Sequence, residues 1–223
     1  MPASDRIRWG GLAAMLGGIL GLLIPPFLSV AWFATKDGAE SLENPLVSVW
    51  AEPFARIFSP LLTFASPESV YRFYGATALF IFVGYLAGLL ALHALQASRA
   101  GGLEKWGFGV ALVGSVLLVV GLISAFWVGG LDFSYLAFLV PGQLVMLVGW
   151  TLFGIGTLRA KVAPKLGAWL LIVGGLPGYI VIAQVSGQHN SMGWLLVALG
   201  WIVLGYALWT RGDTAAEQRS RVM

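Results

Sequence analysis

The sequence predicts an all-α integral membrane protein with six transmembrane helices, and composition, hydropathy and the placement of charge each support this prediction. Of the 223 residues, 58% are hydrophobic and only 10% are charged, and the mean hydropathy is +0.85. A soluble domain would carry about 25% charged residues. The chain therefore lacks the charge needed to cover a water-facing surface, and the absence of Cys excludes a disulfide scaffold.

Six apolar stretches are long enough to cross a bilayer, which requires about 20 mainly apolar residues for about 30 Å of hydrocarbon. The predicted spans are residues 10–34, 71–96, 107–131, 133–158, 167–187 and 191–210. The third and fourth spans are nearly continuous, and we place their turn at residues 129–132. A cluster of polar turn formers at 186–191 separates the last two spans. The whole chain, 1–223, is interpreted as a single polytopic domain.

The basic residues predict the orientation of the chain. Six spans place both termini on the same side, and ten of the 13 Lys and Arg residues belong to that side, whereas only Lys36, Arg56 and Arg72 belong to the other. Cytoplasmic loops carry an excess of Lys and Arg. We therefore expect a multi-pass protein of the cell membrane whose N-terminus and C-terminal tail, 211–223, are cytoplasmic.

The first span has a second interpretation. Arg6 and Arg8 precede an apolar run that ends near Ser29, which is the outline of a signal peptide. The run is long for a signal peptide and contains Pro25 and Pro26. These features favour a retained helix.

A repeated pattern of small residues suggests that the spans form three helical hairpins of the same orientation. The odd spans share a basic residue, then Gly, then Gly followed by Gly or Ser, all at identical spacing: Arg8, Gly10, Gly17, Gly18; Lys105, Gly107, Gly114, Ser115; Lys165, Gly167, Gly174, Gly175. Two even spans share Gly149, Trp150, Gly154 and Gly200, Trp201, Gly205, and the second span matches in part with Gly84 and Tyr85. Parallel internal repeats are frequent in membrane folds. The alternative is that an abundance of Gly, 30 residues, produces the match.

The segment of residues 35–70, called here the long segment, is predicted to be ordered. Asn44 precedes Pro45 and Ser66 precedes Pro67, and each pair is typical of a helix start. Apolar residues between them recur at steps of three and four, which predicts one or two short amphipathic helices that Pro53 and Pro60 interrupt or begin. We favour a position flat in the external interface over a lid above the bundle.

Charge within the spans is scarce, which argues against several functions. No Asp, Glu, Lys or Arg lies in the middle of a predicted span, whereas proton-coupled transporters, pumps and carboxylate-based intramembrane enzymes ordinarily have at least one. With no Cys, two His and no recognisable nucleophile motif, the sequence predicts no catalytic residue, metal site or cofactor. No basic stripe interleaved with aromatics indicates nucleic acid. The lipid bilayer is the expected partner, with a membrane protein subunit or a second copy as further partners.

A ligand site is predicted where prolines interrupt the spans. Broken helices supply binding sites in many transporters, and prolines at 25–26, 141 and 177 free backbone carbonyls. The residues predicted to contact a ligand are Gln143, Tyr179 and Gln184 near these breaks, and Arg72, Asp132 and His189 toward the external ends. The alternative is that Arg72 pairs with Glu68 or Asp132 and that the other polar residues only form turns.

The sequence therefore favours a protein that is not an enzyme. It is either a transport-type protein that handles a small molecule or lipid, or a membrane partner subunit. The alternative is an intramembrane enzyme with a polar site at the external face, which would require His189, Asp132 and Glu68 to converge.

Overall fold

The computed structural model describes residues 3–186 and 192–220, and the side chains of residues 4–182 and 192–211. Within these residues the chain is helical and contains no strand. The α-helices are α1 (Ala3–Phe33), α2 (Pro45–Ile57), α3 (Ser59–Leu62), α4 (Pro67–Gln96), α5 (Gly102–Leu122), α6 (Leu131–Ser134), α7 (Val140–Ala160), α8 (Lys165–Gly174), α9 (Leu176–Ser186) and α10 (Leu195–Ser220). Two π-helical turns, Ile123–Gly129 and Tyr135–Leu139, extend α5 and precede α7.

Several of these helices are long and apolar enough to cross a membrane, so the chain is an all-α membrane protein. Five are continuous: Ser4–Phe33, Pro67–Arg99, Gly102–Gly129, Leu131–Ala160 and Met192–Arg211. The pair α8 and α9 is apolar enough to be one more span, but it is bent by 54° at Gly175. Pro177 follows this bend by two residues, where a missing backbone N–H weakens the helix.

Other prolines affect the helices less than their sequence positions predict. Pro25 and Pro26 lie inside the continuous helix α1, so the expected interruption of the first span is wrong. Pro53 likewise lies inside α2 and does not break it. Val49, whose carbonyl loses its helical partner to Pro53, is 74% exposed, so water or lipid headgroups can satisfy that carbonyl. The π-helical turns on either side of Gly130 were not predicted, because hydropathy does not distinguish π from α turns.

The long helices pack as a closed ring. The most extensive contacts join α1 to α4, α5 to α7 and α1 to α10, and smaller contacts join α8 to both α7 and α10 and α4 to α5. One end of the ring, where α1 ends and α4 begins, carries the long segment and is called the segment end. The opposite end, where α4 ends and α5 begins, also carries the start of α1 and is called the terminal end.

Glycines allow neighbouring backbones in the ring to touch. A Cβ on Gly17 would lie 2.9 Å from the Ile81 carbonyl oxygen, and one on Gly174 would lie 2.7 Å from the Val197 nitrogen. A Cβ on Gly114 would collide with the Met146 backbone. Small residues at such positions permit the close packing on which membrane helix association depends.

The centre of the ring is filled with aromatic side chains. Tyr85, Trp150 and Trp201 come from α4, α7 and α10, and all three are 0% exposed. The Tyr85 ring centroid lies 5.5 Å from that of Trp150 and 5.9 Å from that of Trp201. Phe82 and Trp194 extend this cluster toward the segment end, with ring centroids 4.8 Å apart. In this conformation the middle of the ring is therefore solid.

The long segment folds onto the segment end. The Asn44 side chain caps α2 by accepting from the Leu46 backbone N–H at 3.0 Å, as the sequence predicts. Val47 and Ala51 of α2 are buried against the last turns of α1. The Tyr74 hydroxyl donates to the Leu61 carbonyl at 2.8 Å and ties α3 to α4.

The glycine contacts lead to a test of the packing. Gly114→Ala should lower the free energy of unfolding by about 1–3 kcal/mol, because the added methyl group forces the α7 backbone away. Gly109 lies on the same helix with nothing within 4 Å of its Cβ position, so Gly109→Ala is the matched control. It should be neutral or stabilising by about 0.5–1 kcal/mol. Thermal unfolding in detergent measures both, and equal melting temperatures for the two variants would contradict the packing.

Candidate functional site

A pocket of about 350 Å³ opens at the segment end between α1, α4 and the π-helical turn after α5. Its lining combines polar and charged side chains with aromatic ones: Trp32, Thr35, Asp37, Glu68, Ser69, Tyr71, Arg72, Ala125, Phe126 and Leu131. This volume is in the lower part of the range typical of small-molecule sites. The pocket can therefore hold a small ligand or the polar group of a larger one.

Local sequence features place the charged residues at this pocket. The Ser66 side chain accepts from the Ser69 backbone N–H at 3.4 Å and fixes the start of α4. Glu68 and Arg72 follow within the first two turns of that helix. On the opposite wall, the Thr35 hydroxyl donates to the Trp32 carbonyl at 2.7 Å and accepts from the Gly38 N–H at 3.1 Å. These bonds close the turn that carries Asp37 to the pocket.

Aromatic rings form the inner wall of the pocket. The Tyr71 ring centroid lies 5.1 Å from that of Trp32 and 5.5 Å from that of Phe126. Arg72 reaches across toward Gly129, whose φ of +96° suits a residue without a side chain. No salt bridge joins Arg72 to Glu68 or Asp132, although all three side chains are described. The guanidinium therefore does not form the ion pair with Glu68 or Asp132 that the sequence offers as an alternative.

A series of tyrosines connects the pocket to deeper polar groups. Tyr135 lies near enough to Tyr71, which lines the pocket, and to Tyr179 to interact electrostatically with both. The Tyr179 hydroxyl in turn lies close to the Gln143 side chain. The Gln143 Nε2 atom is buried and makes no hydrogen bond within the described part of the chain. Gln143, which the sequence predicts to contact a ligand, therefore has a buried N–H donor without a partner in that part of the chain.

The six predicted ligand residues are distributed as follows. Arg72 lines the pocket, and Gln143 and Tyr179 contact each other near Pro141 and Pro177. Asp132 is exposed in the first turn of α6 and does not line the pocket. The side chain of Gln184 and the whole of His189 lie outside the described residues.

The sequence analysis missed a buried polar cluster at the terminal end. Glu104 is 1% exposed, and its Oε1 atom accepts from Gln96 Nε2 at 2.9 Å and lies 2.8 Å from His93 Nδ1. The His93 ring stacks on Phe108 with a centroid distance of 3.7 Å. Gly156 of α7 makes room for Glu104, since a Cβ there would lie 2.7 Å from the Glu104 Cα.

Comparison with protein-family models, with curated proteins and with solved structures finds no match. Function must therefore be argued from the two sites themselves. Within the described residues, no group of three or more His, Cys, Asp or Glu side chains is arranged to hold a metal ion. The segment-end pocket offers charge of both signs beside aromatic rings, and the terminal-end cluster offers a buried carboxyl group.

The buried cluster makes a testable contribution to stability. His93→Phe should preserve stacking on Phe108 but remove the hydrogen bond to Glu104, which lowers the free energy of unfolding by about 1–3 kcal/mol. Trp106→Phe is the control, since Trp106 lies at the same end and is 75% exposed. It should change stability by less than about 0.5 kcal/mol. Chemical unfolding in mixed micelles measures the difference, and a His93→Phe protein as stable as the control would contradict this role.

Proposed function

We propose that the chain crosses the membrane six times, with the bent pair α8 and α9 as the fifth span and with both termini in the cytoplasm. The closed ring of packed helices supports six spans. The orientation rests on the ten Lys and Arg residues that belong to the terminal end, against three at the segment end. The segment-end pocket then faces the outside of the cell.

We further propose that the ring consists of three repeated hairpins, and the register of contacts between hairpins supports this. A Cβ on Gly154 of α7 would lie 3.0 Å from the Ala168 carbonyl oxygen, and one on Gly205 of α10 would lie 2.6 Å from the Gly11 carbonyl oxygen. Ala168 and Gly11 each follow the first Gly of the repeated pattern by one residue. Helix α10 of the third hairpin therefore packs on α1 of the first hairpin in the same register as α7 of the second hairpin packs on α8 of the third.

The same equality of register is found one position after Gly17 and Gly174, at Gly18 and Gly175. Gly175 approaches Leu147 and Gly18 approaches Ala198, and each of these neighbours stands three residues before the central Trp of its helix. An abundance of Gly accounts for small residues at helix contacts, but it does not account for equal registers at two separate contacts. Repeats related by an axis along the membrane normal do account for them.

For the activity, we propose a transport-type protein that binds an amphiphilic small molecule or lipid in the segment-end pocket. The observation that carries this proposal is the pocket lining, in which Arg72, Asp37 and Glu68 lie beside the rings of Trp32 and Tyr71. A polar group with charges of both signs complements the three charged residues. The apolar part of such a ligand would lie against the aromatic wall.

The filled centre of the ring limits how such a ligand moves. Tyr85, Trp150 and Trp201 close the middle, so passage along the ring axis requires the helices to rearrange. Gln143 and Tyr179 near the bend at Gly175 are proposed as the inner contacts that a ligand reaches when the bent span moves. Asp132, Gln184 and His189 remain proposed contacts at the same face.

A membrane partner subunit is the second candidate, and a lateral groove supports it. The groove has a volume of about 450 Å³ and lies between the terminal-end halves of α1 and α4. Half of its lining residues are small, and the others are larger or charged: Gly10, Ala87, Ala91 and Ala94; Arg6, Ile7, Trp9 and Leu90. Small residues on a lipid-facing surface permit a partner helix to approach closely. An intramembrane enzyme has less support, since Glu68 lines the pocket and Asp132 does not.

Thermal stabilisation by short-chain lipids tests the pocket. A short-chain phosphatidylcholine at about 100 times its dissociation constant should stabilise the wild-type protein by about 2.7 kcal/mol. Arg72→Gln should lose most of this stabilisation, because the phosphate loses its cationic partner. Arg56→Gln is the control, since Arg56 is also exposed on this side of the chain but does not line the pocket.

Two results would contradict the proposal. Equal stabilisation of Arg72→Gln and the wild type would show that lipid binds elsewhere. No stabilisation by phosphatidylcholine, by an anionic short-chain lipid or by a panel of small solutes would favour the partner-subunit alternative.

A further inference from the structure

Two buried oxygen atoms in the terminal-end cluster have no hydrogen-bond partner. They are Glu104 Oε2 and Gln96 Oε1, and their side chains are 1% and 0% exposed. The same two side chains are already joined by one hydrogen bond, in which Gln96 Nε2 donates to Glu104 Oε1 at 2.9 Å. Both orphaned atoms are acceptors when the carboxyl group is ionised. Neither oxygen has a donor among the described residues.

A protonated carboxyl group supplies such a donor. An acid and a primary amide are complementary, because the amide N–H donates to one carboxyl oxygen and the acid O–H donates to the amide oxygen. We propose that Glu104 is a proton-binding site, which carries a proton on Oε2 in the native bundle and donates it to Gln96 Oε1. One proton then satisfies both buried oxygens, and no charge remains on the carboxyl group.

The surroundings favour the neutral form of the pair. Burying an ionised carboxylate is costly even after relaxation, and the nearby start of α5 offsets only part of that cost for an anion. The charged residues at the terminal end of the surrounding helices are Asp5, Arg6 and Arg8 on α1, Arg99 after α4, Lys105 on α5, and Arg159 and Lys161 at the end of α7. The side chains of Asp5 and Arg8 are half-buried, and the others are exposed. Among the described residues, the only salt-bridge contact of Glu104 is with His93.

His93 provides a route for the proton to reach water. Its side chain is 29% exposed and its Nδ1 atom lies 2.8 Å from Glu104 Oε1. Starting from the ionised carboxylate, His93 Nε2 takes a proton from hydronium while Nδ1 releases its own proton to the nearer oxygen, Oε1. The carboxyl group then rotates so that its O–H faces Gln96 Oε1, and the imidazole exchanges with water to carry its hydrogen on Nδ1 again, where it donates to the carboxyl group. One proton has then moved from hydronium to Glu104 and the imidazole is neutral. The other contacts of the cluster, with Phe108 and Gly156, are apolar.

Infrared spectroscopy of the folded protein tests the proposal directly. The wild type should show the carbonyl stretch of a protonated carboxyl group at neutral pH. Glu104→Gln should lose the band, whereas Glu43→Gln, the control at an exposed carboxylate, should retain it. Glu104→Gln should also keep the wild-type melting temperature, since an amide supplies both a donor and an acceptor, while Glu104→Ala should lower it.

Each remaining outcome would overturn part of the proposal. A wild-type spectrum without the band at neutral pH would show that Glu104 is ionised, and this result does not depend on any variant folding. Glu104→Gln melting as low as Glu104→Ala would indicate an ion pair with His93. If the band of His93→Phe exchanges in deuterium oxide as fast as that of the wild type, the proton does not pass through His93.

Discussion

The structure depends on direct contact between helix backbones at glycine. Inside a bilayer, lipid tails are as apolar as Leu, so helices gain little from hiding apolar surface from one another. Dispersion contacts at short range have to supply the association energy, and those contacts exist only where no Cβ intervenes. Gly17 against Ile81 and Gly174 against Val197 are such places. Around the ring, these contacts bring α4, α7 and α10 close enough for their aromatic residues to meet.

The aromatic centre is a consequence of that approach, and it separates the two polar sites. Trp150 and Trp201 fill space that would otherwise form a channel, and each is 0% exposed. Polar groups are consequently displaced toward the two ends of the ring. The segment-end pocket combines exposed charges with aromatic walls, whereas the terminal-end cluster is closed to water except at His93. A ligand and a proton would thus engage the protein at opposite ends.

Most of the fold is predictable from the sequence because the bilayer imposes simple rules. A long apolar run predicts a membrane span. A capping residue such as Asn44 predicts a helix start, and Gly17 and Gly114 predict close helix contacts. The prolines are less predictable, because the cost of a lost hydrogen bond depends on whether the freed carbonyl finds another partner. Pro53 leaves α2 intact and Pro177 accompanies a 54° bend, although the sequence pattern treats them alike.

The candidate sites could be predicted only in part, because burial is a tertiary property. Glu104 stands three residues before an apolar run, where a carboxylate at the membrane surface is expected to be solvated. Its burial requires α7 to present Gly156 at the level where α4 ends, and hydropathy does not report that contact between helices. Scarcity of charge within the spans argues against chemistry based on ionisable groups only in the middle of the bundle. Helix ends packed against their neighbours can also desolvate a carboxyl group.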